Sequence, residues 1–140
     1  DEFDTGIRKL LNFGHSFGHA IESASNFTVP HGVAVLIGMI AACQYESAIT
    51  TRHSEMLQNV SNKLLSKIMV SVQDTLENFD LSAFGLAIAK DKKNTPTELV
   101  LVLPAERGLV LSKTVFSENA IAKAQEAAKR AIEVILNEVR

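Results

Sequence analysis

The chain has 140 residues, enough for one hydrophobic core and too few for two ordinary domains. It is 46% hydrophobic and 21% charged, a balance that excludes a disordered or fibrous polypeptide. A formal net charge of -2 leaves no global field to draw in nucleic acid or an anionic membrane, so neither is expected as a partner and any anionic ligand must be held by local groups.

The opening residues Asp1-Glu2-Phe3-Asp4 are acidic and lack the basic-then-apolar order of a secretory signal. Apolar residues from Ile7 to Ile21 recur at helical spacing, which predicts a first helix from about Thr5 to Ala24. Ser25-Asn26-Phe27-Thr28-Val29-Pro30 combines turn formers with a proline that disfavours helix in the residue before it, so the chain should turn there. His31 then stands at the mouth of a second helix.

From Gly32 to about Thr50 nearly every residue is apolar or small, and a helix apolar on all sides belongs at the centre of a core. Gln44, Glu46 and Arg52 interrupt this stretch short of the roughly 18 residues that span a bilayer, so a cytoplasmic location is expected. Cys43, the single cysteine, sits beside Ala41 and Ala42 and reads as a small buried apolar residue rather than a catalytic thiol.

Further helical patterns run from about Ser54 to Ile68 and from Leu81 to Lys90, the second with Asp80 or Ser82 as cap. His53, between Arg52 and Ser54 at a helix start, reads as a surface residue. Glu98 to Leu103 is rich in strand formers, and Pro104-Ala105-Glu106-Arg107-Gly108 separates it from Leu109-Val110-Leu111, which predicts a β-hairpin. Ser117 can then cap a long amphipathic helix whose apolar face holds Ile121, Ala124, Ala128, Ile132, Ile135 and Val139. That face needs a partner, in this domain or another chain. The fold expected over residues 1–140 is a single, mainly α domain with one small hairpin.

Arg8, Asn12, His15, His19 and Glu22 are spaced four, three, four and three residues apart, so a continuous helix would carry them on one side. A cation, an amide, two imidazoles and a carboxylate along one wall can hold a metal and an anionic substrate. An ordinary solvent face is more often Lys and Glu, although two histidines at i and i+4 are commonly just exposed or hydrogen-bonded. If the second helix packs antiparallel to the first, His31 folds back toward this stripe and three imidazoles converge. Spacing does not say which two of the three would bind metal. Gly14 and Gly18, placed inside the predicted first helix, cost on the order of 1 kcal/mol each relative to alanine and would let a helix or a ligand approach the backbone.

Gly6-Ile7-Arg8 followed by Leu11-Asn12-Phe13-Gly14-His15-Ser16-Phe17-Gly18-His19-Ala20-Ile21-Glu22 closely resembles the 3-dehydroquinate synthase signature. His31-Gly32-Val33-Ala34-Val35 with Gly38-Met39 is similar to the family's second signature, and Asp91-Lys92-Lys93 gives a third match. The resemblance implies the helical C-terminal domain of that fold, with the NAD-binding N-terminal α/β domain absent from this sequence and the active site in the cleft between the two. It implies that His15 and His31 are ligands of a catalytic zinc or another divalent metal, and that His19 contacts substrate and handles protons. Arg8, Asn12 and one of Lys92 or Lys93 would bind the substrate's anionic and hydroxyl groups. Read by themselves, Lys92 and Lys93 are a solvated pair.

The reaction implied is the NAD-dependent conversion of a sugar phosphate, 3-deoxy-arabino-heptulosonate 7-phosphate, to 3-dehydroquinate, a carbon–oxygen lyase and cyclase step of the shikimate pathway to aromatic amino acids. A homodimer is expected. Without the missing half, and with it the glutamate that would be the third metal ligand, the isolated chain is expected to be inactive and to bind zinc weakly. Val33 stands where the family pattern has a glutamate; if that carboxylate orients a metal-binding histidine, its loss weakens the site. A paralogous sugar-phosphate cyclase, or a non-catalytic remnant serving assembly, is therefore the alternative. The iron-dependent alcohol dehydrogenases share the architecture, but Asp91-Lys92-Lys93 and the Asn-Phe-Gly-His string argue against them.

Overall fold

The computed structural model describes residues 12–45, 59, 69–91, 94, 97–105 and 108–139. Its elements in chain order are α1 (His15–Ala24), α2 (His31–Tyr45), α3 (Met69–Glu77), α4 (Leu81–Ala89), β1 (Glu98–Ala105), β2 (Gly108–Val115) and α5 (Glu118–Val139). Mainly helical with a single antiparallel hairpin among the described residues, the chain has the fold class its sequence predicts.

The reason α2 is apolar all round is its position. It packs against α1, α5 and β1, and Val33, Ala34, Val35, Ile37, Ile40, Ala41, Ala42 and Cys43 are all buried. Burying side chains of the Val, Leu and Ile class contributes about 1.5–3 kcal/mol each, so this helix anchors the core. Around it buried residues of α1, α3, α4, β1 and α5 join one cluster, with Phe17 of α1 stacked on Phe84 of α4 at 6.2 Å between centroids. Cys43 is 1% exposed, and burial pushes its thiol up to about 11, as suits a small apolar packing residue.

α1 and α2 meet backbone to backbone. A Cβ added at Gly18 would lie 2.9 Å from the Cα of Val35, and one at Gly14 would lie 2.8 Å from the carbonyl oxygen of Val35. A Cβ at Gly38 would run into the carbonyl oxygen of Gly14 and come within 2.7 Å of the amide nitrogen of Gly18. Position 14 thus faces 38, and 18 faces 35, so the two helices run antiparallel in a register where residue numbers across the crossing add to about 52–53. Three glycines hold that register.

The connection between them is tight. Phe27 N donates to the Glu22 carbonyl at 2.8 Å, Ser25 Oγ donates to the same carbonyl at 3.0 Å, and Thr28 Oγ1 donates to the Ser25 carbonyl at 2.7 Å. Asn26 and Phe27 both adopt left-handed backbone, with φ of 51° and 61°. Val29, 1% exposed, pins the turn to the core, and the Pro30 carbonyl accepts from Ala34 N at 2.9 Å to open α2.

The predicted first helix is corrected here. α1 begins at His15; Gly14 precedes it with φ +80°, and Asn12 sits in the 3₁₀ turn before that. Gly14 therefore stands just ahead of α1, and its missing side chain serves both the positive φ and the contact with Met39 and Val35. Residues 5–11 of the predicted helix lie outside the described residues. Of the predicted helix over 54–68, only Asn59 lies within the described residues. α3 is not among the predicted elements: Met69–Glu77 offers Val72 and Leu76 to the core one turn apart, with polar residues between them.

α4 is capped as expected, with Ala83 N donating to Asp80 Oδ1 at 3.0 Å. The hairpin is longer than predicted, pairing Glu98 with Val115 through to Ala105 with Gly108. β1 is buried along its whole interior, which matches its unbroken apolar run, while β2 lies at the surface. Asn94 ties α4 to this hairpin: its Nδ2 donates to the Ile88 carbonyl at 2.9 Å, and its Oδ1 accepts from Val100 N at 2.8 Å. Ser117 caps α5 through Ala120 N at 3.0 Å. The apolar face of α5, including Ala124, Ala128, Ile132 and Ile135, finds its partner in α2, α3 and α4 of the same chain.

Candidate functional site

The register of the α1–α2 crossing decides what meets at its open end. Residue 22 faces residue 31, because 22 and 31 again add to 53. Accordingly Glu22 Oε1 and His31 Nδ1 lie 3.1 Å apart. His15 and His19, on the same side of α1 as Glu22, bring their rings to the same place. The ring centroids are 5.5 Å apart for His15–His19, 5.7 Å for His15–His31 and 5.8 Å for His19–His31. Three imidazoles and one carboxylate thus form a compact group.

His15 is partly buried, whereas His19 and His31 are exposed. The Glu22 side chain is 13% exposed against 58% for His31, so the carboxylate is the fixed partner and the ring the accessible one. His15 Nδ1 lies 3.3 Å from the Phe13 carbonyl. His19, Glu22 and His31 each offer a ligand atom within 4.8 Å of the others, a spacing that could hold a metal ion. Imidazole nitrogen and carboxylate oxygen are the donors zinc and similar divalent ions take, so the chemistry of this set fits such an ion.

The convergence expected for His15, His19 and His31 is therefore present, although the polar stripe does not lie on one helix. Asn12, partly buried, precedes α1 in its own turn. Arg8, Lys92, Lys93 and His53 lie outside the described residues. Asp91 and Asn94, on either side of the lysine pair, are joined by a hydrogen bond from Asn94 N to the Asp91 carbonyl at 3.0 Å. Val33 is 5% exposed and part of the hydrophobic core, and the carboxylate that reaches His31 belongs to Glu22. The spacing placed Glu22 in the stripe, but its pairing with His31 depends on the register across the crossing.

A family profile described as 3-dehydroquinate synthase C-terminal matches residues 1–94. The chain belongs to that family. It is 34% identical over 122 residues to a 3-dehydroquinate synthase of Acetivibrio thermocellus, covering 86% of this chain and 33% of that protein. It is 36% identical over 110 residues to that of Sulfurisphaera tokodaii, with 77% and 31% covered, and 37% identical over 113 residues to that of Streptococcus pyogenes serotype M18, with 77% and 30% covered. The chain spans about a third of the length of these relatives. No solved structure gives a significant match. No helix among the described residues is long and apolar enough to cross a membrane.

Proposed function

We propose that this chain is the metal- and substrate-binding part of a 3-dehydroquinate synthase-type lyase. The observation that carries the reading is the meeting of His15, His19 and His31 within 5.5–5.8 Å, on residues that match the family's signatures. The substrate class is a phosphorylated keto acid, 3-deoxy-arabino-heptulosonate 7-phosphate, and the hydride carrier is NAD held by an α/β domain beyond these residues.

His15 and His31 hold a divalent metal, zinc first among the candidates. When bound, that ion supplies polarisation of a hydroxyl or carbonyl oxygen without the use of a proton. His19, exposed beside them, gives or takes a proton at the substrate's reacting oxygen in this reading. Arg8, Asn12 and Lys92 or Lys93 hold the phosphate and carboxylate. The glycine-packed crossing keeps the imidazoles together on rigid helices, which is what positional catalysis requires. Cytoplasmic location and a homodimer belong to the same proposal.

The test is release of inorganic phosphate from the substrate in the presence of NAD and zinc. The chain alone should release none. Fused behind the N-terminal part of one of the relatives above, it should do so, and His15→Ala or His31→Ala should abolish both turnover and bound metal. Fusion turnover that survives both substitutions would exclude the proposed roles.

A further inference from the structure

We propose that Glu22 is the positioning residue of this site, holding the His31 ring in the tautomer that carries its proton on Nδ1 and turns Nε2 to the ligand. The inference rests on the metal reading above for what Nε2 then binds, but the tautomer itself is a property of this chain alone.

A carboxylate has only acceptor atoms, and so does a backbone carbonyl. At 3.1 Å from Glu22 Oε1, the Nδ1 of His31 must donate, and the lone pair of that ring is left on Nε2. His15 is treated alike. Its Nδ1, 3.3 Å from the Phe13 carbonyl, donates there and leaves its own lone pair on Nε2. Two rings with centroids 5.7 Å apart are thus set in the same tautomer by two independent acceptors, one backbone and one side chain. A pair of histidines prepared in this way is what a metal with two imidazole ligands needs, since an acceptor on the far nitrogen fixes ring direction and raises ligand basicity.

The partners differ in cost. The Phe13 carbonyl comes with the turn that starts α1, but the acceptor for His31 has to be a side chain from the opposite helix. Glu22 is where the register places it, with its side chain only 13% exposed. Its backbone carbonyl also accepts from Phe27 N and Ser25 Oγ, so the turn is built on the residue that orients the ring. The valine at position 33 then removes nothing from the orientation of His31, because that side chain is buried in the core.

The direct test is the ¹⁵N spectrum of the histidine side chains in the metal-free chain, recorded above the pH at which the ring signals stop moving. Wild type should show His31 protonated on Nδ1. Glu22→Ala should move its signals to a mixture of the two tautomers, and Glu22→Gln, whose amide oxygen still accepts, should largely restore them. A second arm reads zinc binding by titration, where Glu22→Ala should weaken affinity about 10–100-fold and Glu22→Gln much less. A proton on Nε2 of His31 in wild type, or a spectrum unchanged in Glu22→Ala, would overturn the proposal. So would zinc binding that is lost in Glu22→Gln yet kept in His15→Ala, because Glu22 would then be a ligand itself beside His19 and His31. If wild type binds no zinc while the tautomers respond as described, the positioning role stands and the metal reading fails.

Discussion

Replacing Gly38 with alanine tests the crossing on which the site is built. The added methyl group would meet the carbonyl oxygen of Gly14 and lie 2.7 Å from the amide nitrogen of Gly18, both backbone atoms that no rotamer change can move. Overpacking of a close contact costs about 1–3 kcal/mol, and backbone against backbone belongs at the upper end. Alanine returns about 1 kcal/mol of helix propensity, which leaves a net loss of roughly 2 kcal/mol. For a chain of this size that corresponds to a fall in Tm of about 6–10 °C. Gly32→Ala is the matched control, since nothing lies within 4 Å of its added Cβ; it should be neutral or slightly stabilising. Urea unfolding of both variants beside wild type measures the difference. Because the helices must separate to admit the methyl group, the ring signals of His19 and His31 should also shift in Gly38→Ala and not in Gly32→Ala. Equal stability of the two variants would refute the close crossing and, with it, the register that places Glu22 against His31.

Burial raises the Cys43 thiol to about 11, so at pH 8 the native protein should resist a disulfide reagent and react only after denaturation. A thiol whose folded value lies above its ordinary value of 9.0 stabilises the fold below that value, and this contribution should fade as pH rises from about 9 toward 11. Asp80→Ala removes the side-chain acceptor for Ala83 N and should cost about 1 kcal/mol in the same urea assay, without altering the histidine signals. Phe27 is 74% exposed with φ 61°, so Phe27→Asn gives up little burial and relieves a left-handed strain of about 1–2 kcal/mol; a gain of roughly 0.5–1 kcal/mol is expected, and a loss would show that the aromatic ring packs on something.

Much of this architecture is legible in the residues. The all-apolar stretch of α2, the cap at Asp80, the cap at Ser117 and the strand formers of β1 each announce their element by a local rule. The start of α1 is not legible, because apolar spacing runs on through Gly14 while that residue takes left-handed backbone just ahead of the helix, and its φ and its contact with Met39 and Val35 together explain the glycine. α3 escapes notice because its apolar residues show no long helical stripe in the sequence, although Val72 and Leu76 are buried. Asn94 is equally invisible, since its two partners lie on separate elements. The site divides in the same way. Histidine spacing on α1 shows that rings could gather, whereas the pairing of Glu22 with His31 is a property of two helices in register. Val33, where the family pattern has a glutamate, is buried in the core, a position that the sequence pattern does not reveal.

Coordination of one divalent ion by His15 and His31 together is tested most directly by titrating zinc into the ¹⁵N-labelled chain and following the histidine side-chain nitrogens. The expected result is a parallel change of Nε2 on both rings that saturates at one zinc per chain, with both responses lost in His15→Ala. Rings that respond independently, at different zinc concentrations, or not at all would contradict a shared site.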